Sequence, residues 1–186
     1  MVQITNRFMI SSEKFVRNRY GRASWDEARE EMTPATRADF DRKLDPKGLA
    51  DFDKVADVLR AIEKTLGPRV ANVLFELGLH NSEDDLSVTQ KLVMRLISVE
   101  WVLRAAALLW GQRIKNGGRI EIRREGKGHV KATVFDFPEP VAEWWRYLSG
   151  WFTCAIRFSG GQDVRVVWEG GGDTPTSPTR FDAQWK

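Results

Sequence analysis

Between Pro138 and Ser159 the chain reads PEPVAEWWRYLSGWFTCAIRFS, and this stretch constrains the fold more than any other. Val141, Trp144, Trp145, Leu148, Trp151, Phe152, Ala155 and Phe158 recur at three-and-four spacing. That is the period of a helix buried along one side. A strand pair is expected on either side of it. Ile120 and Ile122 alternate with Arg119, Glu121 and Arg123, and Val130, Ala132 and Val134 with His129, Lys131 and Thr133. A period of two means a strand with one buried face. Gly126-Lys127-Gly128 joins this pair. Beyond the helix, Val164, Val166 and Trp168, then Phe181, Ala183 and Trp185, repeat the pattern across a Gly/Pro/Ser/Thr loop. The expected class is α+β: a helical N-terminal two-thirds packed on an antiparallel sheet of two hairpins flanking a long buried helix (β-β-α-β-β). Residues 1–186 read as a single domain, with 1–118 mainly helical and 119–186 forming the hairpin–helix–hairpin part.

The N-terminal part reads as a series of helices. Residues 1–10 suggest a short strand or an extended arm, with a helix starting at Ser11 or Ser12 and ending at Gly21. Ser24 with Glu27 has the form of a capping box. Thr33-Pro34 restarts a helix, Thr as N-cap and Pro at the first position. Asp51 or Asp53 opens a stronger helix with Phe52, Val55, Val58, Leu59, Ile62 and Leu66 on one stripe, ended by Gly67-Pro68. Val70–Leu79 continues helically, and Asn81 to Asp85 reads as a polar break. Leu86–Ser98 and Val99–Lys115 are expected as two further helices, the second terminated by Asn116-Gly117-Gly118.

Composition narrows the function classes. A net charge of +3 is too small to imply a polyanion-binding protein by itself. The single cysteine, Cys154, excludes an internal disulfide framework and fits a reducing compartment. The N-terminus has no uninterrupted apolar run of a secretory signal, and Trp101–Trp110 is too short for a membrane span. A cytoplasmic protein is expected.

No catalytic or metal motif is present. His80, His129 and Cys154 are scattered over three elements. Glu76, His80 and Asp84 would align only on a continuous helix, which Gly78 and Asn81-Ser82 are expected to interrupt, so no metal site and no cofactor are assigned. Cys154 reads as a small buried hydrophobe. The glycine clusters lack phosphate-binding spacing. Arg119, Arg123, His129 and Lys131 share the solvent face of one hairpin and are candidates for an anionic partner, with a charge-solvated sheet face as the plainer reading. Aromatics are not interleaved there, so nucleic acid is not expected. The eight tryptophans are the remaining signal. Trp101, Trp110, Trp144, Trp145 and Trp151, with Cys154, are candidates to line a ligand pocket between helices and sheet. Their plain reading is a core built of large side chains.

Several short features, in order, carry a resemblance. They are Ser98-Val99-Glu100 at a helix start, Trp110 near its end, Gly118-Arg119-Ile120-Glu121 entering a strand, Phe137-Pro138 before the long helix and Gly150-Trp151 within it. Gly172-Asp173 precedes a final strand with Phe181 and Trp185. Residues 99–186 thereby resemble the ligand-binding fold shared by TRAPP vesicle-tethering subunits, 4-vinyl-reductase domains and haem-NO-binding proteins. The chain is most similar to small, uncharacterised myxobacterial proteins of that type. It lacks the Tyr-x-Ser-x-Arg signature of the haem-NO-binding branch, and Thr174 to Pro178 stands where relatives often carry a cysteine. The resemblance implies a non-enzymatic sensor or adaptor module binding an apolar small ligand, a protein partner, or both, and it does not imply haem. The alternative is a purely structural interaction module, a homodimer with a filled core and no ligand. An enzyme is the weakest reading, because few titratable groups converge. TRAPP-like relatives associate through helices, which implies a homodimer or partner contact through helix faces. Trp145 with Phe8 and Met9, or Trp101 with Leu108 and Leu109, are the expected exposed patches.

Overall fold

The computed structural model describes residues 1–85, 99, 110–171 and 173–186. In chain order the elements are β1 (Gln3–Thr5), α1 (Arg7–Tyr20), α2 (Arg22–Glu31), α3 (Pro34–Phe40), β2 (Leu49–Asp51), α4 (Phe52–Leu66) and α5 (Val73–Asp85). A helical turn at 110–113 leads into β3 (Ile114–Lys115), β4 (Arg119–Gly126) and β5 (His129–Phe135). Then come α6 (Ala142–Phe158), β6 (Arg165–Gly170) and β7 (Thr179–Gln184). The class is α+β, as the periodicities imply. Trp101, Leu108 and Leu109, and the helices expected over 86–109, lie outside the described residues.

The long helix and both hairpins form as their patterning dictates. The four-stranded sheet runs β4-β5-β7-β6, antiparallel throughout, so the two hairpins join where β5 meets β7. The register sets Ile120 opposite Val134, Ala132 opposite Phe181 and Val130 opposite Ala183, which puts the buried set on one face. α6 packs against that face and against α5. Its two successive tryptophans diverge. Trp145 meets Phe137 at 5.0 Å and Phe181 of β7 at 6.3 Å. Trp144 turns to the helical side and meets Phe8 at 6.2 Å and Phe52 at 5.5 Å.

Several local expectations are corrected. Of the two readings of the leading segment the short strand holds, as β1, but α1 follows it at once and starts at Arg7 rather than at Ser11 or Ser12. Phe8 (5% exposed), Met9 (0%) and Trp145 (0%) are core residues, so the exposed patch expected of them does not exist. Ser24 lies within α2 and donates to the Tyr20 carbonyl instead of capping. Thr33 and Pro34 do open α3, with the Thr33 hydroxyl accepting from the Thr36 amide at 3.4 Å. That helix stops at Phe40. Ile114 and Lys115 are strand, not the end of a helix, because they pair with β1. A small sheet of order β2-β1-β3 results.

The polar break expected at Asn81 is also absent. α5 runs unbroken through Gly78, Asn81 and Ser82. Gly78 is there for contact. A β-carbon on it would lie 2.0 Å from the Tyr147 carbonyl oxygen, and one on Gly150 would lie 2.0 Å from the Phe75 carbonyl oxygen. The helices therefore meet backbone to backbone, each through the other's glycine. Adding a methyl group forces them apart, and overpacking of this kind costs about 1–3 kcal/mol. Gly150→Ala should lower the thermal midpoint by several degrees, at about 2–4 °C per kcal/mol for a chain of this size. Gly111→Ala, where a β-carbon would meet nothing within 4 Å, should leave it unchanged. Differential scanning calorimetry of the two variants checks the contrast.

Candidate functional site

α6 and the start of α1 enclose a half-open cavity of about 60 Å³. Its wall is largely aromatic. Trp144, Tyr147 and Trp151 come from one stripe of α6, Phe8 from α1, and Trp110 from the turn before β3. Ile4, Ile114, Leu148 and Phe152 complete the apolar part. Tyr147 stacks on Trp144 with ring centroids 5.0 Å apart and planes 20° apart, and meets Phe8 edge-on at 5.3 Å. The Trp110 indole N–H donates to the Gly117 carbonyl at 3.1 Å, which fixes that ring.

Polar groups break the apolar wall at a few points. Thr5, Arg7, Asn81 and Arg113 also line it. Trp144 and Asn81 are each at least 98% buried, yet the Trp144 Nε1 and Asn81 Oδ1 atoms have no hydrogen-bond partner among the described residues. The Asn81 amide nitrogen reaches only the Ser12 hydroxyl, at 3.5 Å. Buried polar atoms are normally paired, and an orphan that borders a cavity marks a place for a water or a ligand group.

The sequence candidates divide. Trp110, Trp144 and Trp151 come together at this cavity. Trp145 lies on the opposite, sheet-facing side of α6, and Cys154 is buried near Leu79, Glu83 and Arg157 on another face. Trp101 lies outside the described residues. Arg7, Asn81, Arg113 and Tyr147 were not anticipated. Tyr147 follows Trp144 by three and precedes Trp151 by four, so the helical stripe itself points to it. The other three become neighbours only through the α1–α5 packing and the β1–β3 register.

The basic-face candidates sit on the outer face of the large sheet, as their alternation implies, but each has a carboxylate partner. Arg119 pairs with Glu121, Arg123 with Glu125 at 3.3 Å and Lys131 with Glu169 at 3.8 Å. His129 Nε2 lies 2.6 Å from Asp182 Oδ2. Exposed pairs of this kind add little stability. They do cancel much of the cationic field that an anionic partner would need.

The continuous α5 helix aligns Glu76, His80 and Asp84 after all. Glu76 accepts from the Tyr20 hydroxyl at 3.0 Å. Burial, with the hydrogen bond to Glu76, pushes the Tyr20 hydroxyl up to about 12. Asp84 is held by Lys14 at 2.7 Å, and His80 Nε2 stays 3.7 Å from Asp84 without a hydrogen bond. No cluster among the described residues has the makings of a metal centre.

No protein-family model matches the chain, and no curated protein matches it. Solved structures do. A Cs H-NOX variant carrying 4-cyano-L-phenylalanine is 16% identical, covers 98% of this chain and 97% of its own, and superposes with a TM-score of 0.72. An iron(II) unliganded H-NOX variant from K. algicida gives 0.71 at 8% identity, over 98% and 97% of the two chains. A T. tengcongensis H-NOX variant gives 0.62 at 16% identity, over 98% of each. The chain therefore has an H-NOX-like fold, the architecture of haem-NO-binding domains, and at these identities the likeness is one of fold alone.

Those structural relatives include proteins studied for haem redox potential and porphyrin distortion, so haem must be tested against the residues here. Haem iron is held by His, Cys, Met or Tyr. Among the described residues lining the cavity, only Tyr147 is of that kind, and its ring is stacked on Trp144. His80 packs on Phe15 at 5.3 Å, and His129 is on the sheet. A space of about 60 Å³ is also far below the ~300 Å³ of even small organic-ligand pockets. The described residues lining the cavity do not fit haem.

Two predictions follow from the packing around α6. Trp145→Ala should cost about 3–5 kcal/mol, the range for a buried large aromatic, and the half-buried Trp151→Ala clearly less. Urea midpoints of the two variants check the order. His80 supplies a pH dependence. Burial holds its imidazole below the usual value, against the opposing charge of Asp84. The unfolded chain thus binds the proton more tightly than the folded one. The stability His80 contributes is full above about pH 6.5 and is lost as pH falls through the lower folded value. The urea midpoint of wild type should therefore decline below pH 6.5 more steeply than that of His80→Gln.

Proposed function

We propose that this protein is a haem-free sensor or adaptor, not an enzyme, that takes a small, mainly apolar molecule into the cavity between α1 and α6. The observation that carries the reading is that cavity: aromatic walls from three elements, with the unpartnered Trp144 Nε1 and Asn81 Oδ1 among its lining residues. Sites for small molecules combine an apolar lining with few polar groups in this way. The H-NOX-like fold supports the reading, and so does the wider resemblance to TRAPP and 4-vinyl-reductase domains and their small myxobacterial relatives. On this reading the protein is bacterial and cytoplasmic, and among the described residues no helix is long and apolar enough to cross a membrane.

A second reading is favoured by the cavity's small size. A core so nearly filled suits a structural module that pairs through helix faces as a homodimer. Native mass spectrometry separates the two: the first expects a bound small molecule or a ligand-induced shift in melting temperature, the second a ligand-free dimer. The purified protein should be colourless, and haemin added in equal amount should give no Soret band of a specifically ligated haem. A sharp Soret band would overturn the haem-free assignment.

A further inference from the structure

We infer that the protein pairs with a second copy of itself through β6, whose open edge joins β6 of that copy antiparallel about Val167. The pairing surface is a sheet edge and not the helix faces of the second reading above, and it is independent of what the cavity between α1 and α6 holds.

The edge is free to pair. β6 ends the four-stranded sheet and pairs with β7 alone among the described residues. The Trp185 amide donates to the Gly128 carbonyl at 2.8 Å, so alternate residues of β7 address β5, while Asp182 and Gln184 address β6. Their opposites, Val167 and Arg165, bond back to β7. The N–H and C=O groups of Val166 and Trp168 are thereby directed to the open edge, and no described backbone group outside the sheet bonds to them. The place of a next strand is open space. A groove of about 490 Å³ is lined by Val166, Val167 and Trp168, with Val70, Val73 and Phe75 opposite. Val167 points to the outer face, and Val166 and Trp168 point to the core. A space that touches all three runs along the edge itself.

The two edges of the large sheet differ in kind. β4, at the far side, reads RIEIRREG and is dense in charge. β6 reads RVVWEG, an apolar run with Val167 39% exposed. Charge on an edge discourages strand-to-strand pairing, and an apolar edge invites it.

The pattern of β6 is complementary to itself. Arg165, Val167 and Glu169 share its outer face. Antiparallel pairing about Val167 sets that valine against its own copy and Arg165 against Glu169 of the second copy, twice by symmetry. On the inner face it sets Val166 against Trp168 of the second copy. These are also the two residues whose backbone groups face the open edge, so donors and acceptors match reciprocally. A two-fold interface requires such a self-complementary patch, and opposite-charge and aromatic–β-branched pairs across strands are favourable. Arg165 is exposed and forms no ion pair with a described residue, and Glu169 has only a loose contact, with Lys131 at 3.8 Å. The β-bulge between Trp168 and Gly170 displaces Glu169 along the strand, a shift that the long arginine side chain spans. It also confines the pairing to a short stretch, so the dimer is expected to be weak and concentration-dependent.

The test is sedimentation velocity of the full chain over a concentration series at low salt, with Arg165→Glu, Glu169→Arg and the double variant R165E/E169R. Wild type is expected to dimerise. Each single reversal sets like charges against each other at both symmetric positions and should weaken the dimer about tenfold. The double variant exchanges the charges and should restore it. Hydrogen exchange gives a second measurement: the Val166 and Trp168 amides should exchange more slowly as concentration rises. A monomer at every concentration overturns the inference and leaves the ligand reading standing. A dimer indifferent to both single reversals uses another surface and overturns it too. Weakening by the single reversals without rescue in the double variant overturns the register.

Discussion

Where α5 crosses α6, no side chain separates the two backbones. Gly78 faces the carbonyl of Tyr147 and Gly150 faces that of Phe75, each at a separation no β-carbon tolerates. A glycine within a helix costs about 1 kcal/mol relative to alanine. Two of them are kept in the middle of long helices, and what they permit is close approach. The α5–α6 side of the cavity is set by that approach. It fixes the height of Trp144, Tyr147 and Trp151 on α6 against Asn81 on α5, and Arg146 of α6 is then in reach of Glu63 on α4, at 2.9 Å for one of its two bonds.

The same crossing explains why polar residues sit where α1 meets α5. Ser12, Asn81 and Ser82 are all at most 1% exposed, and neither Asn81 Oδ1 nor the Ser82 hydroxyl has a partner. A helix pair held this tightly cannot rotate to bring them to water. Unsatisfied polar groups in a core of aromatic and aliphatic residues reduce stability without adding packing. Of the unpaired atoms among the described residues, only Asn81 Oδ1 and Trp144 Nε1 belong to residues that line the cavity; Arg29 Nε and Trp168 Nε1 lie elsewhere, on α2 and β6.

The parts of this fold that announce themselves in sequence are those whose period is long enough to read. α6 spans 17 residues and its apolar stripe is unmistakable; β5 and β7 alternate over six or more, and β4 over its first five. The β2-β1-β3 sheet is built of strands of two or three residues, too short for a period of two to register. Gly78 reads locally as a breaker, and only the presence of α6 turns it into a contact surface. Asn81 and Ser82 read as a loop because they are polar, while burial against α1 kept them helical. For Trp145 the helix phase gave its direction but not what stands in that direction; Phe137 and Phe181 do. Arg7 and Arg113 are more than a hundred residues apart, and nothing in either local sequence hints at the other.

The position of β1 in the middle of the small sheet has a consequence for biosynthesis. Gln3 to Thr5 can pair with Leu49–Asp51 as soon as β2 has been made. The opposite edge must wait until Ile114 and Lys115 have been made. The Val2 amide waits longer still, for the Glu139 carboxylate, at 3.1 Å. During that interval one side of the first strand stays unsatisfied and open to other chains, the exposure that makes nascent edges prone to mispairing. A strand of only three residues, followed directly by a helix, offers such a chain little length to grip.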